Sequence, residues 1–208
     1  MGLFVQGLVL GFSIAAPVGP IGVLCIRRSL QNGFKSGLVS GLGAASADAI
    51  YGTIAAAGLT LAADFLARQA AWLGLLGGLF LVYLGVQTLR SNPPDADAGS
   101  VEKNSLTGDY FSTLLLTLSN PITIFSFIAL FGGMSAASNA GFRVSAFVLV
   151  LGEFIGSALW WLLLSGGVSA FRKQFSPSVL RYVNYAAGAV ILVFAAVMLW
   201  RVVAQLLG

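Results

Sequence analysis

Ala16-Pro17-Val18-Gly19-Pro20 places two prolines inside an apolar run that extends from Leu3 to Ile26. A run of this length is typical of a transmembrane helix. Because proline has no backbone N–H and disfavours helical geometry at the preceding residue, the two prolines free the carbonyl groups of Ser13 and Ala16. Lipid cannot satisfy these carbonyls, so such a break persists only where it faces protein or a water-filled cavity. The stretch therefore predicts a helix that is broken near its middle.

A similar break lies in a second apolar run. Ser119-Asn120-Pro121 interrupts the run from Tyr110 to Met134, and Pro121 frees the carbonyl of Thr117. Broken helices in matching positions of two halves indicate a transporter site, because half-helix amino ends attract anionic groups and freed carbonyls attract cations. The predicted substrate-binding residues are Ser13, Ala16, Pro17, Gly19, Pro20, Thr117, Asn120 and Pro121.

The composition agrees with a membrane-spanning chain. Of the 208 residues, 58% are hydrophobic and 9% are charged, against about 25% charged in a soluble domain. The mean hydropathy is +0.92, so the solvent for most of the chain is the lipid bilayer. The positive charges are dispersed along the chain, so nucleic-acid binding is not expected. With one cysteine and no histidine, neither a disulfide nor a metal site is expected, and no motif indicates a cofactor.

Apolar runs of about 20 residues predict six transmembrane helices. The long hydrophilic stretch Ser91–Asp109 contains Pro-Pro, Gly and acidic residues and is typical of a mobile loop. It divides the chain into a first three-helix unit, residues 1–90, and a second, residues 110–208. The predicted spans are Leu3–Ile26, Gly37–Ala63, Ala71–Leu89, Tyr110–Met134, Val144–Gly166 and Val183–Trp200.

The two halves resemble each other at shifts of 108 to 110 residues, which suggests a duplication. Because each half has an odd number of helices, the second enters the membrane in the opposite sense to the first. The predicted fold is an all-α integral membrane protein with six transmembrane helices in two inverted three-helix repeats, and helices 1 and 4 are broken at prolines. The matches are Gly33-Phe34-Lys35 with Gly141-Phe142-Arg143, Gly43 with Gly152, and Gly78 with Gly188.

The loop charges predict the orientation, since Lys and Arg are enriched in cytoplasmic loops. If the amino terminus is outside, eight of these residues lie in cytoplasmic loops and three lie on the other side. Both termini are therefore expected outside. The eight are Arg27, Arg28, Lys35, Arg90, Lys103, Arg172, Lys173 and Arg181, and the three are Arg68, Arg143 and Arg201.

Asp48 and Glu153 are the only charged residues inside the predicted spans. A carboxylate at the membrane centre costs about 2.5 kcal/mol or more, so both should face the bundle interior. Asp48 shares a helix face with small residues such as Gly41 and Gly52, which allows another helix to approach closely. With no histidine available, these two carboxyl groups are the candidates for proton coupling. The alternative is that each is a protonated structural acid that ties down a neighbouring donor.

The order of these motifs resembles the LysE/RhtB family of amino-acid exporters over nearly the entire chain. The resemblance implies a small six-helix carrier of the bacterial inner membrane that expels amino acids, usually by proton antiport. It also implies that the proline-rich turn, the acid of the second span and Asn120-Pro121 belong to the transport pathway. Many members carry Lys after Asn-Pro where this chain has Ile122, which leaves the choice of amino acid open. The matching residues are Pro17-Val18-Gly19-Pro20, Gly33, Gly37, Gly43, Asp48, Gly77-Gly78, Tyr83-Leu84-Gly85, Leu89-Arg90-Ser91 and Asn120-Pro121.

Three other functions are alternatives. A cation or heavy-metal exporter would use soft ligands, for which the chain offers Cys25, Met134 and Met198 without a cluster. An intramembrane redox carrier needs paired thiols, which a single cysteine cannot supply. A hydrolase is disfavoured because no HExxH motif or nucleophile-base pair is visible, and no Walker motif indicates ATP. The expected partners are an amino acid as the small-molecule substrate, protons and the lipid bilayer, and the small-residue faces also allow a homodimer.

Overall fold

Every regular element in the described part of the chain is an α-helix, which is the form in which a chain segment satisfies its own backbone hydrogen bonds in lipid. The computed structural model describes residues 2–17, 19–56, 60–90, 105–120, 123–124, 127, 142–171 and 177–207. The all-α prediction is thus confirmed for these residues. The helices are α1 (Leu3–Ala15), α2 (Pro20–Asn32), α3 (Phe34–Ala56), α4 (Thr60–Arg90), α5 (Leu106–Leu118), α6 (Phe142–Phe171) and α7 (Pro177–Leu207).

Three of the described helices are long and apolar enough to cross a membrane, and the bent pair α1 and α2 makes a fourth if it is one span. The three segments are Arg68–Arg90, Ala146–Phe171 and Ser178–Ala204. α3 has 23 residues but is less apolar, because Asp48 and many small residues dilute its hydropathy. Large apolar side chains cover the outer surface, and Trp200 is 75% exposed. This surface fits a lipid environment.

Several helices extend beyond the predicted spans, and two boundaries move a segment to another element. Residues 61–63 belong to α4, which begins at Thr60, and not to the second span. The reason is that the residues after Thr60 are mostly good helix formers such as Ala, Leu, Arg and Gln, so the helix continues through polar residues that interrupt the apolar pattern. α5 begins at Leu106, inside the predicted loop Ser91–Asp109. Ser105 caps it, since its Oγ accepts the Gly108 N–H at 3.3 Å. Residues 91–104 lie outside the described residues.

Glycines bring α1 and α6 into backbone contact. A Cβ atom on Gly7 would lie 2.0 Å from the Leu149 carbonyl oxygen, and one on Gly11 would lie 1.9 Å from that of Glu153. The reverse contact is equally tight, because a Cβ on Gly156 would lie 2.0 Å from the Leu8 carbonyl oxygen. Small residues four apart on both helices therefore allow the close approach that drives helix association in lipid. The two helices run parallel.

α3 and α6 pack against each other in antiparallel fashion, and so do α4 and α7. A Cβ on Gly41 of α3 would lie 2.4 Å from the Trp161 side chain, and one on Gly52 would lie 3.1 Å from the side chain of Val150. α5 lies along α3, with Gly43 facing the backbone of Tyr110. α3 is thus at the centre of the bundle, which explains its small and weakly apolar residues.

We expect Gly11→Ala to lower the free energy of unfolding by about 1–3 kcal/mol, because the new methyl group forces α1 away from the Glu153 backbone. Gly167→Ala is the matched control, since nothing lies within 4 Å of the added atom and alanine is the better helix former. Unfolding of both purified variants in mixed detergent micelles measures the difference. Equal stability of the two variants would contradict this packing.

Candidate functional site

The first break separates α1 from α2. α1 ends at Ala15, and the Ala16 N–H donates to the Phe12 carbonyl at 3.0 Å. α2 begins at Pro20, where proline is tolerated because the first helical residue needs no N–H donor. The Val23 N–H then donates to the carbonyl of Gly19 at 3.0 Å. The axes of the two helices differ by 81°.

The second break follows α5 and repeats this arrangement. α5 ends at Leu118, and the Ile124 N–H donates to the Asn120 carbonyl at 3.2 Å, as Val23 does to Gly19. Contrary to prediction, the Thr117 carbonyl is hydrogen-bonded, because it accepts the Asn120 N–H at 3.1 Å in a tighter last turn. Its second lone pair can still accept a donor. Pro121 lies outside the described residues.

A cavity of about 470 Å³ lies between the two breaks. It brings together the predicted residues Pro17, Gly19, Pro20, Thr117 and Asn120. Ser13 and Ala16 are not among its lining residues. The wall is otherwise largely apolar, formed by Ile14, Ala15, Ile21, Gly22, Ala44, Leu81, Leu116, Thr123, Phe127, Trp161, Phe194, Val197 and Met198.

Of the two span acids, only Asp48 lines this cavity. Asp48 is 6% exposed, and the helix α3 that carries it is held to the end of α5 by a hydrogen bond from the Tyr51 hydroxyl to the Leu118 carbonyl. A carboxyl group therefore lines the same cavity as residues of both helix breaks. Ammonium groups and protons are the natural ligands of such a group.

Glu153, by contrast, packs against α1 and does not line the cavity. It is 1% exposed, and neither carboxyl oxygen has a hydrogen-bond partner among the described residues. The antiparallel contacts of Gly41 with Trp161 and of Gly52 with Val150 place Glu153 and Asp48 at about the same depth in the bundle. Glu153 thus lies at about the depth of Asp48 in the bundle but does not line the cavity.

A buried ion pair lies at one end of the bundle, away from the cavity. The Arg28 Nε lies 3.0 Å from Asp109 Oδ1, and both side chains are about nine-tenths buried. Arg28 also donates from Nη1 to Ser40 Oγ and from Nη2 to Ser112 Oγ, both at 2.8 Å. Ser36 Oγ donates to the second carboxylate oxygen of Asp109. The network ties α2, α3 and α5 together.

Two features depend on contacts that the sequence does not show. Nothing in the spacing of Arg28, a predicted topology signal, and Asp109, the end of the predicted loop, indicates that they meet. Arg201, which the charge count places on the outer side of the membrane, is exposed and also lines the cavity. The signal for Arg201 was present in the helical spacing of Phe194, Val197 and Arg201, which places all three on one face of α7.

Comparison with known proteins identifies the family of the chain. Residues 12–201 match the family model of LysE type translocators, so the chain belongs to that family. It is 31% identical over its whole length to the whole of a Bacillus subtilis protein named "Putative amino acid efflux protein YcgF". It is 27% identical over 92% of its length to 94% of the chemotactic transduction protein ChpE of Pseudomonas aeruginosa. It is also 26% identical over 86% of its length to 81% of YahN, an uncharacterized membrane protein of Escherichia coli. No solved structure matches the chain.

We expect Asp109→Asn to lower the free energy of unfolding by about 3–5 kcal/mol, because it leaves the buried Arg28 guanidinium without a counterion. Unfolding in mixed micelles measures the loss, with the exposed Lys35→Gln as control. The double variant Arg28→Met with Asp109→Leu should recover much of the stability. A cost for Asp109→Asn no larger than that of Lys35→Gln would show that the ion pair is unimportant.

Proposed function

We propose that this chain is a secondary transporter that exports an amino acid, or a similar small zwitterionic metabolite, by proton antiport. The observation that carries the proposal is the single cavity lined by both helix breaks and by Asp48. The half-helix amino end at Pro20 favours a carboxylate, while free carbonyl lone pairs and Asp48 favour an ammonium group. The name of the Bacillus subtilis relative supports export of an amino acid.

We further propose that the chain is an inverted repeat, with one unit in residues 1–90 and the second from α5 onward. Two kinds of contact support it. A shift of 109 residues converts the Gly41–Trp161 contact into the Val150–Gly52 contact, with the halves exchanged. α1 runs parallel to α6 as α5 does to α3, and this is the pairing that an inverted repeat produces.

A similar interchange of contacts relates α4 and α7. A Cβ on Gly78 would lie 2.6 Å from the Leu199 side chain, and one on Gly188 would lie 2.7 Å from that of Leu89. A shift of 110 residues interchanges these two contacts. Gly141, which belongs to the third sequence match, lies outside the described residues.

The buried ion pair supports a mechanism of alternating access. In the proposed orientation, Arg28 and Asp109 lie on the cytoplasmic side of the cavity, two turns of α5 below Thr117. They join α2 to α3 and α5, and therefore close the path to the cytoplasm in this conformation. Export requires this closure to open so that the substrate can enter, and the other side to close meanwhile.

Asp48 is the proposed coupling residue, and Glu153 is the second candidate. Burial penalises the charged form of a carboxyl group, so Asp48 can take a proton from outside and release it inward. An ammonium-bearing substrate from the cytoplasm favours the ionised form. Proton and substrate then compete for one carboxyl group, which is the minimal requirement for antiport.

The proposed orientation places both termini outside the cytoplasm of a bacterial inner membrane. The excess of Lys and Arg on one side supports it. On a Cys25→Ser background, a thiol at Gly99 should be protected from an impermeant reagent in intact cells and react after permeabilisation. Ready reaction at Gly99 in intact cells would reverse the orientation.

Vesicles that contain the purified protein provide the test of transport. The parent should catalyse counterflow of at least one amino acid from a panel, and an imposed pH gradient should drive its accumulation. Asn120→Ala should lower both rates about tenfold or more, because it removes an adjustable donor and acceptor from the cavity. Asn32→Ala, outside the cavity, is the matched control. Parent-like transport by Asn120→Ala at equal abundance would remove Asn120 from the site.

In the same vesicles, Asp48→Asn should separate accumulation driven by the pH gradient from exchange. Asparagine mimics the protonated acid permanently, so accumulation driven by the pH gradient should be lost while some exchange remains. Glu153→Gln serves as the comparison, because its side chain lies outside the cavity at similar depth. Normal gradient-driven accumulation by Asp48→Asn, with loss in Glu153→Gln, would transfer the coupling role to Glu153.

A further inference from the structure

Arg201 is a positively charged residue of the cavity to which the proposed transport cycle gives no role. It is the only Lys or Arg among the described residues that line the cavity, and Asp48 is the only acid. Phe194, Val197 and Arg201 follow one another at helical spacing, so Arg201 continues the face of α7 that forms the wall. All three side chains are exposed, so this face of α7 forms the open side of the cavity.

Neighbouring contacts show how Arg201 and Asp48 are placed along the bundle, with Arg201 nearer the outer end in the proposed orientation. A Cβ on Gly77 of α4 would lie 2.8 Å from the Ser119 side chain and 3.1 Å from the Met198 Cε. The turn of α7 just before Arg201 therefore lies beside the end of α5, next to Asn120. Tyr51 of α3 is bonded to Leu118 of α5, and Asp48 lies one turn before Tyr51, whereas Arg201 lies one turn beyond Met198. The backbones of the two residues therefore differ in depth by about 9 Å, at about 1.5 Å per helical residue. Because helical side chains tilt toward the amino end, the Arg201 side chain leans back toward the level of Met198.

The cavity thus holds one positive and one negative side chain on different helices, with a largely apolar wall around them. A guanidinium group binds a carboxylate through two parallel N–H···O bonds, which an ammonium group cannot do. A zwitterion with adjacent carboxylate and ammonium groups matches this charge arrangement. The apolar wall suits an apolar side chain, because a second charge would lose its hydration there.

We propose that Arg201 binds the carboxylate of the substrate and thereby restricts transport to amino acids that have a free carboxylate and an apolar side chain. This inference rests on the proposed function, since it assigns the substrate class of the same cavity. Asp48 and the carbonyl groups of the helix breaks then receive the ammonium group. Arg201 determines specificity and carries no proton.

The test measures counterflow of leucine, with unlabelled leucine and leucinamide as competitors, by protein reconstituted in vesicles. Leucinamide keeps the ammonium group and the apolar side chain but lacks the carboxylate. The parent should prefer leucine over leucinamide as a competitor. In Arg201→Gln the KM for leucine should rise about tenfold or more, and the preference over leucinamide should disappear, with the maximal exchange rate little changed.

Arg201→Lys keeps the charge but loses the planar fork, so its KM should lie between those of the parent and Arg201→Gln. Arg68→Gln is the matched control, because it removes an exposed arginine on the same predicted side of the membrane that does not line the cavity. This variant should behave as the parent does.

The outcomes separate the two proposals. If the parent exchanges leucine and Arg201→Gln shows the same KM and the same preference over leucinamide, the role of Arg201 is wrong and the proposed function stands. If the parent exchanges another class of amino acid and not leucine, the proposed apolar specificity is wrong. If it exchanges no amino acid at all, the proposed function fails and this inference fails with it.

Discussion

The structure depends on one constraint, which is that lipid offers no partner to a backbone polar group. A helix break deep in a membrane protein therefore has to face protein or an aqueous cavity. Pro17 and Pro20 impose one break by removing backbone donors, and the chain after α5 has another at Asn120. Residues of both breaks line the same cavity, and its polar groups include Asn120 and the carboxyl group of Asp48.

Close helix packing holds the two breaks together. Glycines at the α1–α6 contact bring backbone to backbone, and α3 meets α6 through Gly41 and Gly52. The α1–α6 contact leaves no room for added side chains, and α1 and α5 each pack along a longer partner helix.

The charged groups divide the molecule along its length. Arg28 and Asp109 form a buried ion pair at one end of the bundle. Asp48 and Arg201 line the cavity and do not form an ion pair with each other. A paired charge stabilises a closed contact, while separated charges of opposite sign can receive a ligand that carries both. In the proposed cycle the paired charges serve closure and the separated charges serve recognition.

The sequence is sufficient for the helical membrane class and the family, since hydropathy and the order of motifs can be read along the chain. It is less informative where the outcome depends on contacts between helices. Helix propensity extended α4 back to Thr60 and a serine cap extended α5 into the predicted loop, and neither effect changes hydropathy. The partners of Arg28 and Arg201 depend on which helices are neighbours, which a pattern along one helix does not show.

Protection of a cavity thiol by substrate tests the central claim most directly, namely that the two breaks enclose the transport site. Thr123 lines the cavity just beyond the second break, and Thr123→Cys on a Cys25→Ser background gives a small, single thiol there. Its rate of reaction with a permeant maleimide should fall when a transported amino acid is present at saturating concentration. The rate at an exposed thiol such as Gly167→Cys should not change. An unchanged rate at Thr123→Cys, with transport intact, would show that the substrate binds elsewhere.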